Sequence, residues 1–150
     1  MSGARSRAPG RRLVFGLSAA ALLAGCASPV GADGNAPDLR GTWSYQAQQN
    51  APVLSLSGTM EISGQNGRTF NGQLQVIETN LAGVQRQLSG IVSGTAPNAA
   101  TVDFDAFLEQ TGRRHVGRVA GDSITGSWVD DSGSDVPRTG TFKLRRMGQP

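Results

Sequence analysis

From Gly41 to Met147 large apolar side chains recur at every second position in short runs, and Gly, Asn, Pro and Asp break the runs apart. Period-two alternation marks a strand with one face on a core and the other in water, whereas an amphipathic helix repeats about every 3.6 residues. No stretch of helical period and useful length occurs. The alternation predicts eight strands, near residues 41–48, 53–64, 69–79, 84–95, 101–110, 113–121, 123–130 and 138–147. The connections between them are short, so successive strands should be antiparallel neighbours. That combination predicts an all-β domain, an eight-stranded antiparallel up-and-down β-barrel.

The glycines and the turns refine the prediction. In Leu56-Ser57-Gly58-Thr59-Met60, Phe70-Asn71-Gly72-Gln73-Leu74 and Ile124-Thr125-Gly126-Ser127-Trp128, a glycine takes an inward place between large apolar residues. Such glycines weaken a strand but permit the coiling that a small barrel demands. A two-residue turn at Thr111-Gly112 would set Leu108 opposite His115, Ala106 opposite Gly117 and Phe104 opposite Val119. On the outer face it would set Glu109 opposite Arg114 and Asp105 opposite Arg118, where opposite charges attract. A turn at Gly121-Asp122 continues the inner face through His115/Trp128, Gly117/Gly126 and Val119/Ile124. At Asn66-Gly67 a two-residue turn would set Ile62 against Asn71 and mix the faces. A bulge or three-residue loop is therefore expected there, restoring Met60 opposite Leu74.

In this register Ala106, Gly117 and Gly126 form a row of minimal side chains. The row leaves space beside Phe104 and Trp128 that is either a pocket or the seat of Phe142. An eight-stranded barrel either packs solid or holds one small ligand. If it holds one, the expected lining is Trp43, Tyr45, Phe104, His115, Trp128 and Phe142, and the ligand is small and apolar or amphiphilic.

The first 37 residues follow a different pattern. Arg5, Arg7, Arg11 and Arg12 stand without an acid among them, and an apolar run from Leu13 to Leu23 follows. That run is about half the roughly 20 residues a permanent membrane helix needs, and it has signal-peptide proportions. It ends in Leu23-Ala24-Gly25-Cys26, with the only cysteine of the chain. This resembles the lipobox of bacterial lipoprotein precursors. The resemblance implies a signal peptide over 1–25, lipid transfer to the Cys26 sulfur, cleavage after Gly25 and acylation of the new amino terminus. Ala27, where a retention signal would place Asp, implies sorting to the outer membrane, lipid-anchored on its periplasmic face. Residues 26–37 are small, polar and proline-punctuated and read as a tether, leaving 38–150 for the barrel.

Removing the signal changes the charge balance. All 11 acidic residues follow residue 25 whereas four of the 14 basic ones precede it, leaving 10 basic against 11 acidic. The high isoelectric point thus belongs to a discarded segment, and no basic cluster interleaved with aromatics points to nucleic acid. With Cys26 acylated no thiol remains, so disulfides, Cys-ligated metals and Cys nucleophiles are excluded. His115 is the only histidine, which excludes a poly-His metal site. Asp103, Asp105 and Glu109 alternate with the inner face and should pair with arginines rather than serve a catalytic base. Asp130-Asp131-Ser132-Gly133-Ser134-Asp135 offers oxygen ligands for Ca²⁺ but no closing bidentate Glu, and it reads as a turn. Neither a metal, a cofactor nor an enzymatic reaction is expected.

Leu39-Arg40-Gly41-Thr42-Trp43 resembles the first strand of lipocalins and avidins, whose Gly-x-Trp seals one barrel end. In lipocalins an arginine of the last strand packs over that Trp, which implies the same for Arg145 or Arg146. Lipocalin disulfides and the tryptophan set that frames biotin in avidins are missing, so architecture carries over and ligand does not. The expected function is a membrane-anchored periplasmic barrel for a small apolar or amphiphilic ligand. The alternative is an interaction or inhibitor module of the cell envelope with a solid core, its partner an envelope protein anchored on an exposed Phe107.

Overall fold

The computed structural model describes residues 36–130, 133 and 136–148. Eight strands form: β1 (Gly41–Gln49), β2 (Leu54–Asn66), β3 (Thr69–Asn80), β4 (Gln85–Asn98), β5 (Thr101–Leu108), β6 (Thr111–Ala120), β7 (Ser123–Asp130) and β8 (Arg138–Arg146). Each pairs antiparallel with the next and β8 returns to β1, so the sheet closes on itself. Closure leaves no unpaired sheet edge. This is the eight-stranded up-and-down barrel that the alternation predicts. The signal segment, Cys26 and the tether as far as residue 35 lie outside the described residues.

The inner face follows the predicted parity. Trp43, Tyr45, Leu56, Met60, Ile62, Phe70, Leu74, Phe104, Ile124, Trp128, Phe142 and Leu144 are all buried in one cluster, with Val119 packed against its edge. At β2–β3 the register slips by one residue between Ile62 and Gly64, and Met60 faces Leu74 as expected. The bulge bends β2 while keeping both faces intact. The turn itself lies at Gly67-Arg68, one residue later than Asn66-Gly67, and Gly67 takes a φ of 57° that suits glycine. β6–β7 also has the predicted register, with His115 opposite Trp128 and Gly117 opposite Gly126.

The β5–β6 hairpin differs. Leu108 faces Thr111, Ala106 faces Arg113, Phe104 faces His115 and Val102 faces Gly117, so the turn is Glu109-Gln110 rather than Thr111-Gly112. Gly112 lies opposite Phe107, and a Cβ placed on it would sit 3.2 Å from the Phe107 ring. The glycine is thus spent on a cross-strand contact, and the turn passes to Glu109, which takes a φ of 56°. The outer-face charges re-pair accordingly. Arg114 reaches Asp103 at 2.6 Å and Glu109 meets Arg86 at 3.7 Å, in place of Glu109–Arg114 and Asp105–Arg118.

The two barrel ends are built differently. The chain enters at the end holding the β2–β3, β4–β5 and β6–β7 turns. There Ala36 and Leu39 are buried, so the last residues of the predicted tether already pack on the barrel. Trp43 donates its Nε1–H to the Leu39 carbonyl at 2.9 Å. The Arg146 guanidinium lies 4.3 Å from the centre of the Trp43 ring and donates to the carbonyls of Arg40 and Asp38, both at 2.6 Å. Arginine over Gly-x-Trp closes this entry end as the sequence resemblance implies. The opposite, loop end carries the β1–β2, β3–β4, β5–β6 and β7–β8 connections.

Candidate ligand site at the loop end

Midway along the barrel the inward side chains are aromatic. Phe104 stacks on His115 at a centroid distance of 4.5 Å, and Phe142 meets both edge-on at 5.6 and 5.0 Å. Tyr45 and Trp128 complete the group. The His115 Nδ1 lies 2.8 Å from the carbonyl of Arg113, which only accepts, so Nδ1 carries the proton. Nε2 is then the acceptor for the Tyr45 hydroxyl at 3.0 Å. Burial pushes the His115 pKa down to about 4, against a smaller upward pull from the Arg113 carbonyl. Burial likewise raises the Tyr45 phenol far above its ordinary value. Both groups are neutral at pH 7 and satisfy each other.

Five of the six predicted lining residues, Tyr45, Phe104, His115, Trp128 and Phe142, thus meet in the interior, and Trp43 stands apart under Arg146 at the entry end. The space beside Gly117 and Gly126 is the seat of Phe142. A methyl group on either glycine would come within 2.8 Å of the Phe142 ring. Ala106, opposite Arg113, does not belong to that row. The aromatic level is filled by its own side chains.

Above it, at the loop end, the period-two alternation runs on into polar residues. Gln49, Glu78, Arg86, Arg113, Asp130 and Arg138 all stand on the inward register of their strands, one turn of pleat beyond Ala47, Val76, Leu88, His115, Trp128 and Gly140. Arg113 is 3% exposed and Asp130 1%. The Arg113 guanidinium lies 3.5 Å from Glu78 and 3.9 Å from Asp130, and Asp130 also meets Arg138 at 3.5 Å. Arg86 reaches Glu78 from the rim at 3.4 Å. The Arg113 cation lies 5.0 Å from the centre of the Trp128 ring. Buried ions demand partners on every side, and this layer supplies them in alternating sign.

The layer is not fully satisfied. Among the described residues, Arg113 Nε and Nη1, Trp128 Nε1 and Gln49 Oε1 are buried without a hydrogen bond. Unpaired buried donors are rare in folded chains, and each costs about 1–3 kcal/mol until something accepts from it. Gln49 also floors an open cleft of about 390 Å³, walled by Asn50, Val53, Leu54, Thr79, Asn80 and Leu81. Val53 and Leu81 stand 51% and 83% exposed on its rim. The unsatisfied atom at this cleft is the Gln49 Oε1 acceptor; the Arg113 and Trp128 donors stand in the same loop-end layer but do not line the cleft. The alternation singles out Arg113, Glu78 and Asp130 only when it is followed past the last apolar residue of each strand. Asp130 and Gly133 apart, the acidic stretch considered for Ca²⁺ lies outside the described residues.

No protein-family model matches the chain, and no curated protein matches it by sequence. Its fold resembles solved barrels. The structure of EF1p2_mFAP2b bound to DFHBI superposes with a TM-score of 0.60 at 14% identity, covering 73% of this chain and 94% of that one. A redesigned barrel, mFAP1, bound to DFHBI gives 0.58 at 14% identity over 72% and 94%. A de novo designed fluorescence-activating barrel gives 0.52 at 17% identity over 72% and 93%. This chain is a small closed β-barrel of the same architecture as barrels solved with a small molecule bound.

Proposed function

We propose that this protein is a non-enzymatic lipoprotein of the bacterial envelope, held at the outer membrane by acylated Cys26 with its barrel on the periplasmic face. Its barrel binds a small amphiphilic molecule at the loop end. The observation that carries the ligand reading is the buried Arg113, two of whose nitrogens make no hydrogen bond, set beside Trp128 Nε1. In this reading the acceptor oxygens of the ligand pass Gln49 to reach these donors, and its aliphatic part stays in the cleft against Val53, Leu54 and Leu81. The interior aromatics form the floor of that site rather than its lining.

Native mass spectrometry of protein purified from membranes tests the ligand reading. A bound mass of lipid size, lost on Arg113→Met, is the expected result. A bare chain in wild-type preparations overturns it. The anchor is tested apart: Cys26→Ser should move the protein from the membrane fraction to the soluble one, and a variant that stays with membranes overturns acylation there.

A second reading, a protein-interaction module, has one specific observation in its favour. Phe107 and Ile91 are cross-strand partners on the outer face, 45% and 62% exposed. Co-purification of a stoichiometric protein that is lost on Phe107→Ser would favour it.

A further inference from the structure

The charges of the barrel are segregated along its axis. Among the described residues the entry end bears Arg40, Arg68, Arg118, Lys143, Arg145 and Arg146 against Asp38, Glu61, Asp103 and Asp122. Among the described residues the loop end bears Arg86, Arg113, Arg114 and Arg138 against Glu78, Asp105, Glu109 and Asp130. A domain whose acids and bases nearly balance therefore carries its positive excess at the end where the chain arrives from Cys26.

Three of these cations, Arg118, Lys143 and Arg145, share one face. The outward positions of β6, β7 and β8 hold Arg114, Arg118, Lys143 and Arg145 and not one carboxylate. Arg114 is paired with Asp103 of β5. Among the described residues Arg118, Lys143 and Arg145 are exposed and form no salt bridge, and Asp122, the acid nearest in sequence to Arg118, pairs with Arg146 at 3.3 Å. Register sets Arg118 and Lys143 on either side of Thr125, and Arg145 between Ser123 and Ser44. The cations are thus separated by hydroxyl residues only. No pocket or rigid fork organises them for a single anion, and no aromatic stands among them for stacking a base. Solvated cations spread over a flat face suit an extended anionic surface.

We propose that the β6–β8 face at the entry end docks on anionic phospholipid headgroups. The proposal takes from the anchor reading only its geometry. A tether of about ten residues spans at most roughly 35 Å, so the end where the chain enters the barrel is held within that reach of the bilayer that holds Cys26. Attraction between basic side chains and an anionic leaflet acts within about 8 Å at physiological salt. Docking would leave the loop-end site facing away from the membrane.

The test uses the chain from position 26 onward, which contains every strand, with Cys26→Ser so that no lipid contributes. It is sedimented with phosphatidylcholine vesicles, alone or with one third phosphatidylglycerol. Binding should require phosphatidylglycerol and vanish at about 0.5 M salt. Arg118→Gln, Lys143→Gln and Arg145→Gln should each weaken binding roughly fivefold, and together about a hundredfold. Being exposed, they should leave the thermal midpoint of the barrel unchanged. Lys143 is the only lysine of the chain, so its acetylation, read by peptide mass spectrometry, reports contact at one known place. Protection by anionic but not neutral vesicles is expected. Equal binding to both vesicle types, a triple variant that binds like its parent, or binding to a polynucleotide in place of vesicles would each overturn the proposal. If Cys26 is not acylated, the wild-type protein leaves the membrane fraction while the vesicle result stands.

Discussion

His115 is the residue whose chemistry the sequence conveys most directly. It is the only imidazole of the chain, it falls on the inward parity, and Asp103, Asp105 and Glu109, the carboxylates nearest to it in the β5–β6 hairpin, fall on the outward one. A structural, neutral histidine follows from that, and the hydrogen bonds from Nδ1 to the Arg113 carbonyl and from Tyr45 to Nε2 agree with it. The consequence is a pH dependence. An unfolded His titrates near 6.5 and the folded one near 4, so between those values the unfolded chain binds the extra proton. Stability should be constant above pH 7, fall on the order of 3 kcal/mol as pH drops from about 6.5 to 4, and level off in this contribution below that. Urea denaturation across this window checks it. In His115→Gln the midpoint should start lower and stay nearly flat over the same range; an unchanged slope would assign the loss to other groups. Phe142 carries a second prediction at this scale. The Phe142 ring fills the space over Gly117 and Gly126, so Phe142→Ala should cost about 3–5 kcal/mol.

Among the elements, the predicted strands and faces hold and one hairpin moves. The observed β5–β6 register differs from the predicted one by four residues, an even number, so no side chain changes face and the core prediction survives the error. A glycine beside a threonine is the stronger turn signal by local chemistry. What the sequence alone does not reveal is that Gly112 lies close beneath the Phe107 ring, where a Cβ would sit 3.2 Å from it, a contact that exists only after the strands have paired. The turn falls instead on Glu109, an L-residue in the left-handed region, at a cost of about 1 kcal/mol or more. Glu109→Gly should therefore raise stability by about 1 kcal/mol. The loss of its exposed ion pair with Arg86 offsets little of that. A shift of the denaturation midpoint at constant slope is the check; a fall would mean that the Glu109 side chain supports the turn.

At the scale of the whole barrel, the aromatic floor was legible and the charged layer above it was not, although both follow one alternation. Binary reading stops where apolar residues stop, whereas a closed sheet keeps its inward parity to the last paired residue and carries Arg113, Glu78 and Asp130 inside. Buried ion layers are seldom the most stable filling of such a space. Removing one member strands the others and costs about 3–5 kcal/mol, while replacing the set by apolar residues of like volume is neutral or stabilising by about 1–4 kcal/mol. Arg113→Met alone should then destabilise the barrel, and Glu78→Met, Arg113→Leu and Asp130→Leu together should restore or exceed the parent's thermal midpoint. A layer kept only for the fold would show no other consequence. A layer kept for a ligand should lose the bound lipid-sized mass in the combined variant while the barrel remains as stable as before. The pairing of thermal denaturation with native mass spectrometry on that one variant separates the two, and a stable combined variant that still carries the ligand would remove Arg113 from the site.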